Sequence, residues 1–299
     1  MLKKIKNLIY DNRDRHRILI KLTKGIAMSQ SRNMDLVNPH TWEFSGFSQN
    51  GEDGIIDFLN KKLTAHNQYF IEIGSADGID NNTAWLLFAR SYNGIMIDGN
   101  INLTERAQRM VSSYSIGLRI CNMFVTINSI KNIKAISKTL NPDVLSLDID
   151  GNDYFIAQEL FLQGFRPKIF VVEYNSTFGP ENSITIIPDD EFNYLTKHKS
   201  GLYYGVSITA WKKLFLNYGY KFITVDSKGV NAFFVDPQYF DHLFLNNIKS
   251  HFFIENESQY LRFATNYQEQ FNIIKSMNFI GENGCGVNRE YTRRSNINH

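Results

Sequence analysis

Apolar residues in the first 63 positions recur at helical rather than alternating spacing. Residues 1–43 form a basic stretch whose loose periodicity predicts a helical N-terminal extension, and an amphipathic surface helix over Leu2 to Leu22 is the alternative. Its apolar positions are Leu2, Ile5, Ile9, Ile18, Ile20 and Leu22. Between Phe44 and Leu63, Ile55, Ile56 and Leu59 contribute to one apolar face at helical spacing, which predicts a second helix.

From Tyr69 onward, short apolar runs alternate with stretches at helical spacing. The predicted strands are Tyr69 to Ile73, Gly94 to Ile97, Tyr114 to Ile120, Asp143 to Leu147 and Pro167 to Val172. The predicted helices are Asn82 to Ser91, Leu103 to Val111, Ile130 to Leu140, Tyr154 to Gln163 and Val206 to Asn217. Strands that alternate with helices predict an α/β fold with a largely parallel sheet.

The remaining segments complete a division into three parts. Tyr220 to Val225 and Val230 to Val235 flank a turn-forming tetrapeptide that ends in Gly229, which predicts a β-hairpin. The polar segment Ser176 to Ser200 is expected to be a loop. The tail from Pro237 onward is aromatic, rich in Asn and helical in parts. We therefore predict an extension over 1–43, a central domain over 44–236 and a C-terminal extension over 237–299.

The overall charge favours no highly charged partner. The 299 residues carry a formal charge of +2, which gives no reason to expect nucleic acid or an anionic membrane as a partner. Cys121 and Cys285 lie far apart in sequence and suit a reducing compartment. No secretory signal or integral membrane segment is evident. The expectation is a soluble, cytoplasmic protein.

A glycine-containing turn follows the first predicted strand. The segment Glu72-Ile73-Gly74-Ser75-Ala76-Asp77-Gly78 leads from strand to helix, and Gly74 would allow a tight turn and close approach by a ligand. The spacing differs from GxGxxG, which weakens a dinucleotide-binding interpretation. Glu72 and Asp77 would repel a pyrophosphate but tolerate a cationic methionine moiety. The alternative is an ordinary strand-to-helix turn.

Asp98 ends the second predicted strand, 24 positions after Gly74. A carboxylate at this position can accept hydrogen bonds from both ribose hydroxyls of a nucleoside. Asp is also common after strands without any ligand, so Asp98 alone is weak evidence. Together with the preceding glycine turn it predicts a nucleoside site.

Several hard oxygen ligands follow the fourth and fifth predicted strands. Asp148 and Asp150 come after one strand, and Glu173 and Asn175 after the next. Neighbouring strand ends converge, so these groups could hold Mg²⁺ or Mn²⁺. Clustered acids otherwise raise each other's pKa. The alternative is that Asp150 or Asn152 caps the following helix.

Two further polar residues are weaker candidates. His198 lies in the polar loop, where it could be a general base or a plain surface histidine between two lysines. Gln49 lies in Ser48-Gln49-Asn50-Gly51-Glu52-Asp53-Gly54, which composition alone assigns to a loop and helix cap.

The order and content of these motifs resemble the FkbM-type methyltransferases over about Phe47 to Asp236. The matching segments are Ser48-Gln49-x-Gly51-Glu52-Asp53, Phe70-Ile71-Glu72-Ile73-Gly74-x-x-Asp77-Gly78, Ile97-Asp98, Leu147 to Tyr154, Val172 to Asn175 and Asn231 to Val235. The resemblance implies a class I enzyme dependent on S-adenosylmethionine. It also implies a Rossmann-like seven-stranded sheet with helices on both faces, in which the hairpin supplies the last two strands.

The resemblance also implies roles for individual residues. Glu72, Gly74 and Gly78 would surround the methionine and ribose of the cofactor, together with Gln49, Asp77 and Asp148, and Asp98 would bind the ribose hydroxyls. The acidic strand ends are similar to the metal site of divalent-metal-dependent O-methyltransferases. Independently of the resemblance, the reaction needs a base for the acceptor hydroxyl, and Asp148, Asp150 or His198 could serve.

The implied activity is O-methyl transfer to a small or nucleotide-linked sugar acceptor. The acceptor group would be a sugar hydroxyl, or a phosphate or phosphoramidate oxygen of a capsule-type glycan precursor. The two extensions could bind the acceptor or form a homodimer. Two alternatives stay open: an NAD-dependent oxidoreductase on a related fold, and a non-catalytic nucleotide-binding module.

Overall fold

The computed structural model describes residues 2–111 and 114–281, with side chains from Asn12 onward in those ranges. The helices are α1 (Leu2–Ser31), α2 (Glu52–Lys61), α3 (Ala84–Arg90), α4 (Ile101–Met110), α5 (Ile130–Ile136), α6 (Asp153–Leu162), α7 (Tyr194–Lys197), α8 (Ile208–Asn217), α9 (His242–Asn247), α10 (Glu257–Phe263) and α11 (Tyr267–Ile274). The strands are β1 (Tyr69–Ile73), β2 (Asn93–Asp98), β3 (Leu118–Asn122), β4 (Val144–Leu147), β5 (Ile169–Glu173), β6 (Ile184–Ile186), β7 (Lys221–Val225), β8 (Asn231–Val235) and β9 (Phe279–Gly281).

Seven of these strands form one sheet in the order β3-β2-β1-β4-β5-β8-β7. The first five are parallel to one another, and β8 is antiparallel to both of its neighbours. The expected Rossmann-like α/β fold, with a mostly parallel seven-stranded sheet closed by a hairpin, is confirmed. Its carboxyl edge, where a doubly wound sheet binds ligands, gathers the ends of β1, β2, β4 and β5.

Both faces of the sheet are covered by apolar packing. Ile71 and Ile73 of β1 point into a cluster with α5, α6 and α8, whereas Phe70 points into a second cluster with α2 and α3. This alternation follows from the twofold repeat of a strand. It explains why the central strands are continuous apolar runs rather than alternating ones.

The prediction of a helix over Phe44 to Leu63 is wrong for the first half of that segment, because the helix begins only at Glu52. The segment before α2 is a folded loop because the carboxylate of Asp53 accepts the backbone N–H groups of Gly46, Phe47 and Ser48 at 2.8, 2.6 and 3.0 Å. Phe44 and Phe47 are buried as core residues of this loop. Their apolar character therefore reflects tertiary burial and not a helical face.

The loop predicted over Ser176 to Ser200 contains regular structure that the sequence pattern missed. It includes β6 and α7, and β6 pairs antiparallel with β9, from Ile184↔Gly281 to Ile186↔Phe279. A strand whose partner lies more than ninety positions away has no local turn signal. The third predicted strand is likewise displaced, since β3 begins at Leu118 and not at Tyr114.

The N-terminal extension consists of α1, which packs on the central domain, and a segment with a 3₁₀ turn over Pro39–Trp42. Ile18 is buried on α1, and Arg106 of α4 donates to the buried Asp14 at 3.3 Å. A β-carbon at Gly25 would lie 2.5 Å from the Trp85 ring, so the helix approaches α3 closely. Among the described helices, none is long and apolar enough to cross a membrane.

The C-terminal extension folds back over the hairpin side of the sheet. Tyr174 donates its hydroxyl proton to the carbonyl of Ile254 at 2.6 Å, and the backbone N–H of Val225 donates to the carbonyl of His251 at 3.0 Å. Cys285 and the rest of the tail after residue 281 lie outside the described residues.

Candidate functional site

A cavity of about 660 Å³ opens at the carboxyl edge of the sheet. It lies beyond β1, β2 and β4, where a doubly wound sheet is expected to bind its ligand. The lining residues are Gly74, Ala76, Asp80, Ile97, Asp98, Gly99, Asn100, Met123, Phe124, Val125, Asp148, Ile149, Asp150, Gly151, Asn152, Asp189, Phe192 and Asn193. The volume falls within the usual range for a small-molecule site.

The Gly74 turn fixes β1 to both neighbouring strands at the cavity wall. Its N–H and that of Ser75 donate to the carbonyl of Ile97 at 2.9 and 3.0 Å. Gly74 has a φ of +88°, and a β-carbon there would lie 1.6 Å from the carbonyl oxygen of Asp148. Only glycine fits this position, which brings β1 and β4 together under the cavity.

Asp98 is held in a fixed orientation on the opposite wall. One carboxylate oxygen accepts the N–H of Ala76 at 2.8 Å, and the other accepts the N–H of Asn100 at 2.7 Å. Each carboxylate oxygen can accept more than one hydrogen bond. The half-buried side chain therefore remains able to accept from ligand hydroxyls in the cavity.

Three of the predicted metal ligands converge. Asp148, Asp150 and Glu173 each offer an oxygen, and these atoms lie within 4.8 Å of one another. Burial, followed by the charge of Asp153, raises the pKa of Asp150 to about 6. Burial and the neighbouring carboxylates raise the pKa of Asp148 and Glu173 well above the usual range. Within the described residues no Lys or Arg pairs with this acidic triad, a donor set that suits a hard divalent cation.

Helix capping does not account for the acidic triad. The N–H groups of Ile149 and Gly151 donate to Asp153, at 2.9 and 2.8 Å. Asn152 occupies the N-cap position but makes no side-chain capping bond there. Asp150 has a positive φ of 54°, a backbone conformation that is strained for a residue other than glycine. The alternative prediction of a cap is therefore wrong for Asp150 and holds for Asn152 only in its N-cap position, since its side chain makes no capping bond.

Asn175 does not join the acidic triad, contrary to the sequence-based expectation. Its amide group donates to the carbonyls of Leu202 and Tyr204 at 2.8 and 2.9 Å. Its side-chain oxygen accepts the N–H of Thr177 at 3.0 Å, which caps a short 3₁₀ turn. The amide is thus committed to backbone groups and holds the loop after β5.

Glu72 lies beneath the cavity rather than in its wall. Its side chain is 1% exposed, and one oxygen accepts the N–H of Asn82 at 3.3 Å. The other oxygen has no hydrogen-bond partner among the described residues. Burial raises the pKa of Glu72 to about 8, so it supports the glycine turn as a largely neutral group at pH 7.

Asp77 and Gly78 also contribute to packing around the turn. Asp77 pairs with Arg17 of α1 and with Arg106 of α4, the latter at 3.2 Å. Gly78 has a φ of +77°, and a β-carbon there would lie 3.1 Å from Val111. Neither residue lines the cavity.

Gln49 and His198 also lie outside the cavity lining. Gln49 is exposed in the loop before α2. The Nδ1 atom of His198 is 2.8 Å from the hydroxyl oxygen of Ser200, so its imidazole is engaged in a local turn after α7. In this conformation the acids and not His198 face the cavity.

The outer wall of the cavity comes from residues that the sequence did not single out. Asn152 donates to the carbonyl of Asp189 at 2.7 Å and accepts the N–H of Asp189 at 3.0 Å. A β-carbon at Gly151 would lie 2.9 Å from the ring of Phe192, so this ring packs directly on the β4–α6 turn. No motif marks these contacts, because they join a loop to a turn almost forty residues away.

Two tyrosines lie near the acidic triad, and an arginine lies near one of them. The ring centroids of Tyr194 and Tyr204 are 5.9 Å apart. Arg262 of α10 and Tyr194 both approach Gly201, since a β-carbon there would lie 3.6 Å from Arg262 and 3.8 Å from Tyr194. Burial, then the charges of Asp150 and Glu173, raises the pKa of Tyr194. Arg262 makes no ion pair within the described residues.

No protein-family model and no curated protein matches the sequence. Several solved methyltransferase structures are similar to the chain. An O-methyltransferase from Bacillus cereus in complex with SAH is 16% identical, with a TM-score of 0.36 over 62% of this chain and 90% of its own. The O-methyltransferase TomG from Streptomyces achromogenes, in complex with SAM, is 14% identical, with a TM-score of 0.42 over 70% of this chain and 93% of its own.

A further similar structure is a SAM-dependent methyltransferase from Thiobacillus denitrificans in complex with S-adenosyl-L-homocysteine. It is 16% identical, with a TM-score of 0.34, and the alignment covers 56% of this chain and 64% of that one. Scores at this level do not determine activity, cofactor or acceptor. The seven-stranded topology and the cavity of this chain carry the functional argument.

Proposed function

We propose that this chain is an S-adenosylmethionine-dependent O-methyltransferase of the FkbM type, acting on a small polar acceptor such as a sugar. The observation that carries the proposal is the charge of the cavity at the carboxyl edge. Five of its lining residues are Asp and none is Lys or Arg. Asp80 and Asp189 pair with Lys or Arg side chains outside the lining. Asp98, Asp148 and Asp150 have no such pair within the described residues, and their charge favours a cationic ligand over a dinucleotide pyrophosphate.

The donor side of the cavity fits a nucleoside with a charged methionine moiety. Asp98, already oriented by Ala76 and Asn100, can accept the ribose hydroxyls. Ile97, Phe124 and Val125 supply apolar lining beside it for a purine ring. When bound, S-adenosylmethionine supplies a methyl group on a sulfonium centre that needs no further activation. The protein's part is to align the acceptor oxygen with that group.

The acidic triad is the proposed acceptor side. Asp148 and Asp150 face the cavity, and either can hold the acceptor hydroxyl and take its proton. His198 is the weaker candidate base because it lies outside the lining. A Mg²⁺ or Mn²⁺ ion held by Asp148, Asp150 and Glu173 would lower the pKa of that hydroxyl.

The proposal includes two kinds of acceptor, and the negative charge of the cavity favours one over the other. A neutral sugar hydroxyl avoids repulsion from the aspartates. A phosphate or phosphoramidate oxygen of a capsule-type precursor needs compensating positive charge, which Arg262 and a divalent cation could supply. We propose the sugar hydroxyl first for this reason.

The test begins with calorimetry of the purified chain against S-adenosylmethionine, its demethylated product and NAD. We expect the first two to bind and NAD to fail. Binding of NAD alone would support an oxidoreductase instead. The acceptor screen then measures release of the demethylated product from nucleotide-linked sugars and their phosphorylated derivatives, with Mg²⁺, Mn²⁺ or a chelator. Tight binding without turnover on any acceptor would favour a non-catalytic nucleotide-binding module.

A further inference from the structure

The formal charge of the chain conceals a strong local asymmetry. Helix α1 carries eight Lys and Arg residues against two Asp, a formal charge of +6. The whole chain totals +2, so the residues outside α1 together carry −4. The low overall charge therefore does not exclude an anionic partner, because the positive charge is concentrated on one element.

The outer face of α1 combines this charge with exposed apolar side chains. Leu19, Ile20 and Ile26 are 58%, 68% and 45% exposed. Together with the exposed Thr23 and Ala27, they occupy one side of the helix at helical spacing. We call these five residues the outer ridge. Asp14, Ile18 and Gly25 on the opposite side are buried against the domain.

The five basic residues of α1 whose side chains are described divide into two groups. Arg17 and Lys21 face the domain, where they pair with Asp77 and Asp80. Arg13, Arg15 and Lys24 are exposed near the outer ridge and make no ion pair within the described residues. The inner cations thus hold the helix on the domain, and the outer ones are left for a partner.

We propose that the outer ridge and its flanking cations dock onto an anionic lipid surface. A helix with apolar residues between Lys and Arg side chains lies in the interface plane, with the cations at the headgroups. A nucleic acid would use the cations but leave Leu19, Ile20 and Ile26 in water. A second copy would bury the apolar residues but bring two helices of charge +6 together. Only the lipid surface satisfies both features.

Docking in this way would keep the candidate cavity in a fixed relation to the membrane. The Lys21 ammonium lies 2.6 Å from the carboxylate of Asp80, and Asp80 lines the cavity. Lipid docking is independent of the proposed activity, since the features that favour it lie on α1 alone.

The experiment is flotation of the purified full-length chain with two kinds of lipid vesicle, phosphatidylcholine alone and a mixture with phosphatidylglycerol. We expect binding to the mixed vesicles only, and weaker binding at high salt. Leu19→Ser combined with Ile20→Ser should abolish flotation by removing the apolar contact. Lys24→Glu should weaken it by at least about fivefold, the value expected for one basic residue near the surface.

Control variants separate the outer ridge from general surface hydrophobicity. Leu243→Ser and Leu261→Ser alter side chains that are 74% and 73% exposed elsewhere, and should leave flotation unchanged. Circular dichroism verifies folding of each variant. Absence of binding to the mixed vesicles, or equal loss with the control variants, would overturn the proposal. Self-association that Ile20→Ser disrupts in light scattering would assign the outer ridge to a second copy instead.

Discussion

Gly74 and Asp148 approach so closely that a β-carbon on the first would lie 1.6 Å from the backbone carbonyl oxygen of the second. This contact joins the ends of β1 and β4 directly beneath the cavity. It places the glycine turn, which we propose binds the donor, against the strand end that carries the first residue of the acidic triad. The donor and acceptor sides therefore share one rigid backbone contact.

Replacing Gly74 tests how far this contact is required. Gly74→Ala must displace Asp148, so we expect a loss of at least about 3 kcal/mol in unfolding free energy, together with loss of nucleoside binding. Gly219→Ala is the matched control, because Gly219 has a φ of +77° and a β-carbon there would have no atom within 4 Å. Its cost should be about 1–2 kcal/mol, from the backbone conformation alone. Equal costs in urea denaturation would contradict the steric argument.

Asp98→Asn tests the proposed ribose contact. The amide retains one acceptor oxygen but loses the charge that strengthens hydrogen bonds from hydroxyls. We expect the affinity for the demethylated cofactor to fall by about 10- to 100-fold in calorimetry. Asp241→Asn is the control, since Asp241 also accepts a backbone N–H, at 2.7 Å, but caps α9 outside the cavity lining. An unchanged affinity for the Asp98 variant would remove this residue from the donor site.

Asp150→Ala tests the metal part of the proposal. Removing one of three converging carboxylates should weaken Mn²⁺ binding and lower turnover with the best acceptor by about 100-fold or more. Calorimetry with Mn²⁺ alone measures the first effect without requiring activity. Asp190→Ala is the control: it changes an exposed acid in the neighbouring loop and should affect neither Mn²⁺ binding nor turnover. If turnover and the response to metal both persist in the Asp150 variant, a metal role for this site fails.

Arg262→Met distinguishes the two acceptor chemistries. The guanidinium lies near Tyr194 and Gly201 and is the proposed contact for a phosphorylated acceptor. We expect KM for phosphorylated acceptors to rise about tenfold with little change in kcat, and KM for neutral sugars to stay constant. A parallel rise for both acceptor types would indicate a structural role for Arg262.

Glu72→Gln tests the effect of burying a carboxyl group beneath the turn. Burial raises the pKa of Glu72 from 4.5 to about 8, so the folded state holds the proton more tightly than the unfolded state. The contribution of this group is therefore fully present below pH 4.5 and is lost as the pH rises to about 8. Between pH 4.5 and about 8, the unfolding free energy of the Gln variant should therefore fall less than that of the unmodified protein. Thermal unfolding between pH 5 and about 8 checks this, and identical slopes would contradict a raised pKa.

Local sequence patterns were sufficient to predict those elements whose structure depends on residues close together in sequence. The alternation of strands and helices, and the hairpin around Gly229, predicted a largely parallel sheet and most of its strands, because these elements carry their own periodicity or turn. The converging acids Asp148, Asp150 and Glu173 were predictable because parallel strands end at one edge. The position of Asn175 was not predictable, because its hydrogen bonds to Leu202 and Tyr204 depend on the path of a loop.

Other features depend on contacts between distant segments. Phe44 and Phe47 have helical spacing relative to α2, but the buried Asp53 draws their backbone into a loop. Asp189 and Phe192 line the cavity because they pack on the β4–α6 turn, which is distant from them in sequence. The charge asymmetry of α1 was present in the sequence, but its meaning required knowing which cations the domain already neutralises.

The pairing of β6 with β9 ties the cavity loop to a segment near the opposite end of the described chain. Residues 189 and 192, which line the cavity, follow β6 after only a few positions. An insertion in the loop or the tail that shifts the register between Ile184 and Gly281 would therefore move the outer wall of the cavity. Divergence in substrate preference among related proteins should accordingly involve paired changes in these two segments, while the glycine turn and Asp98 could stay constant.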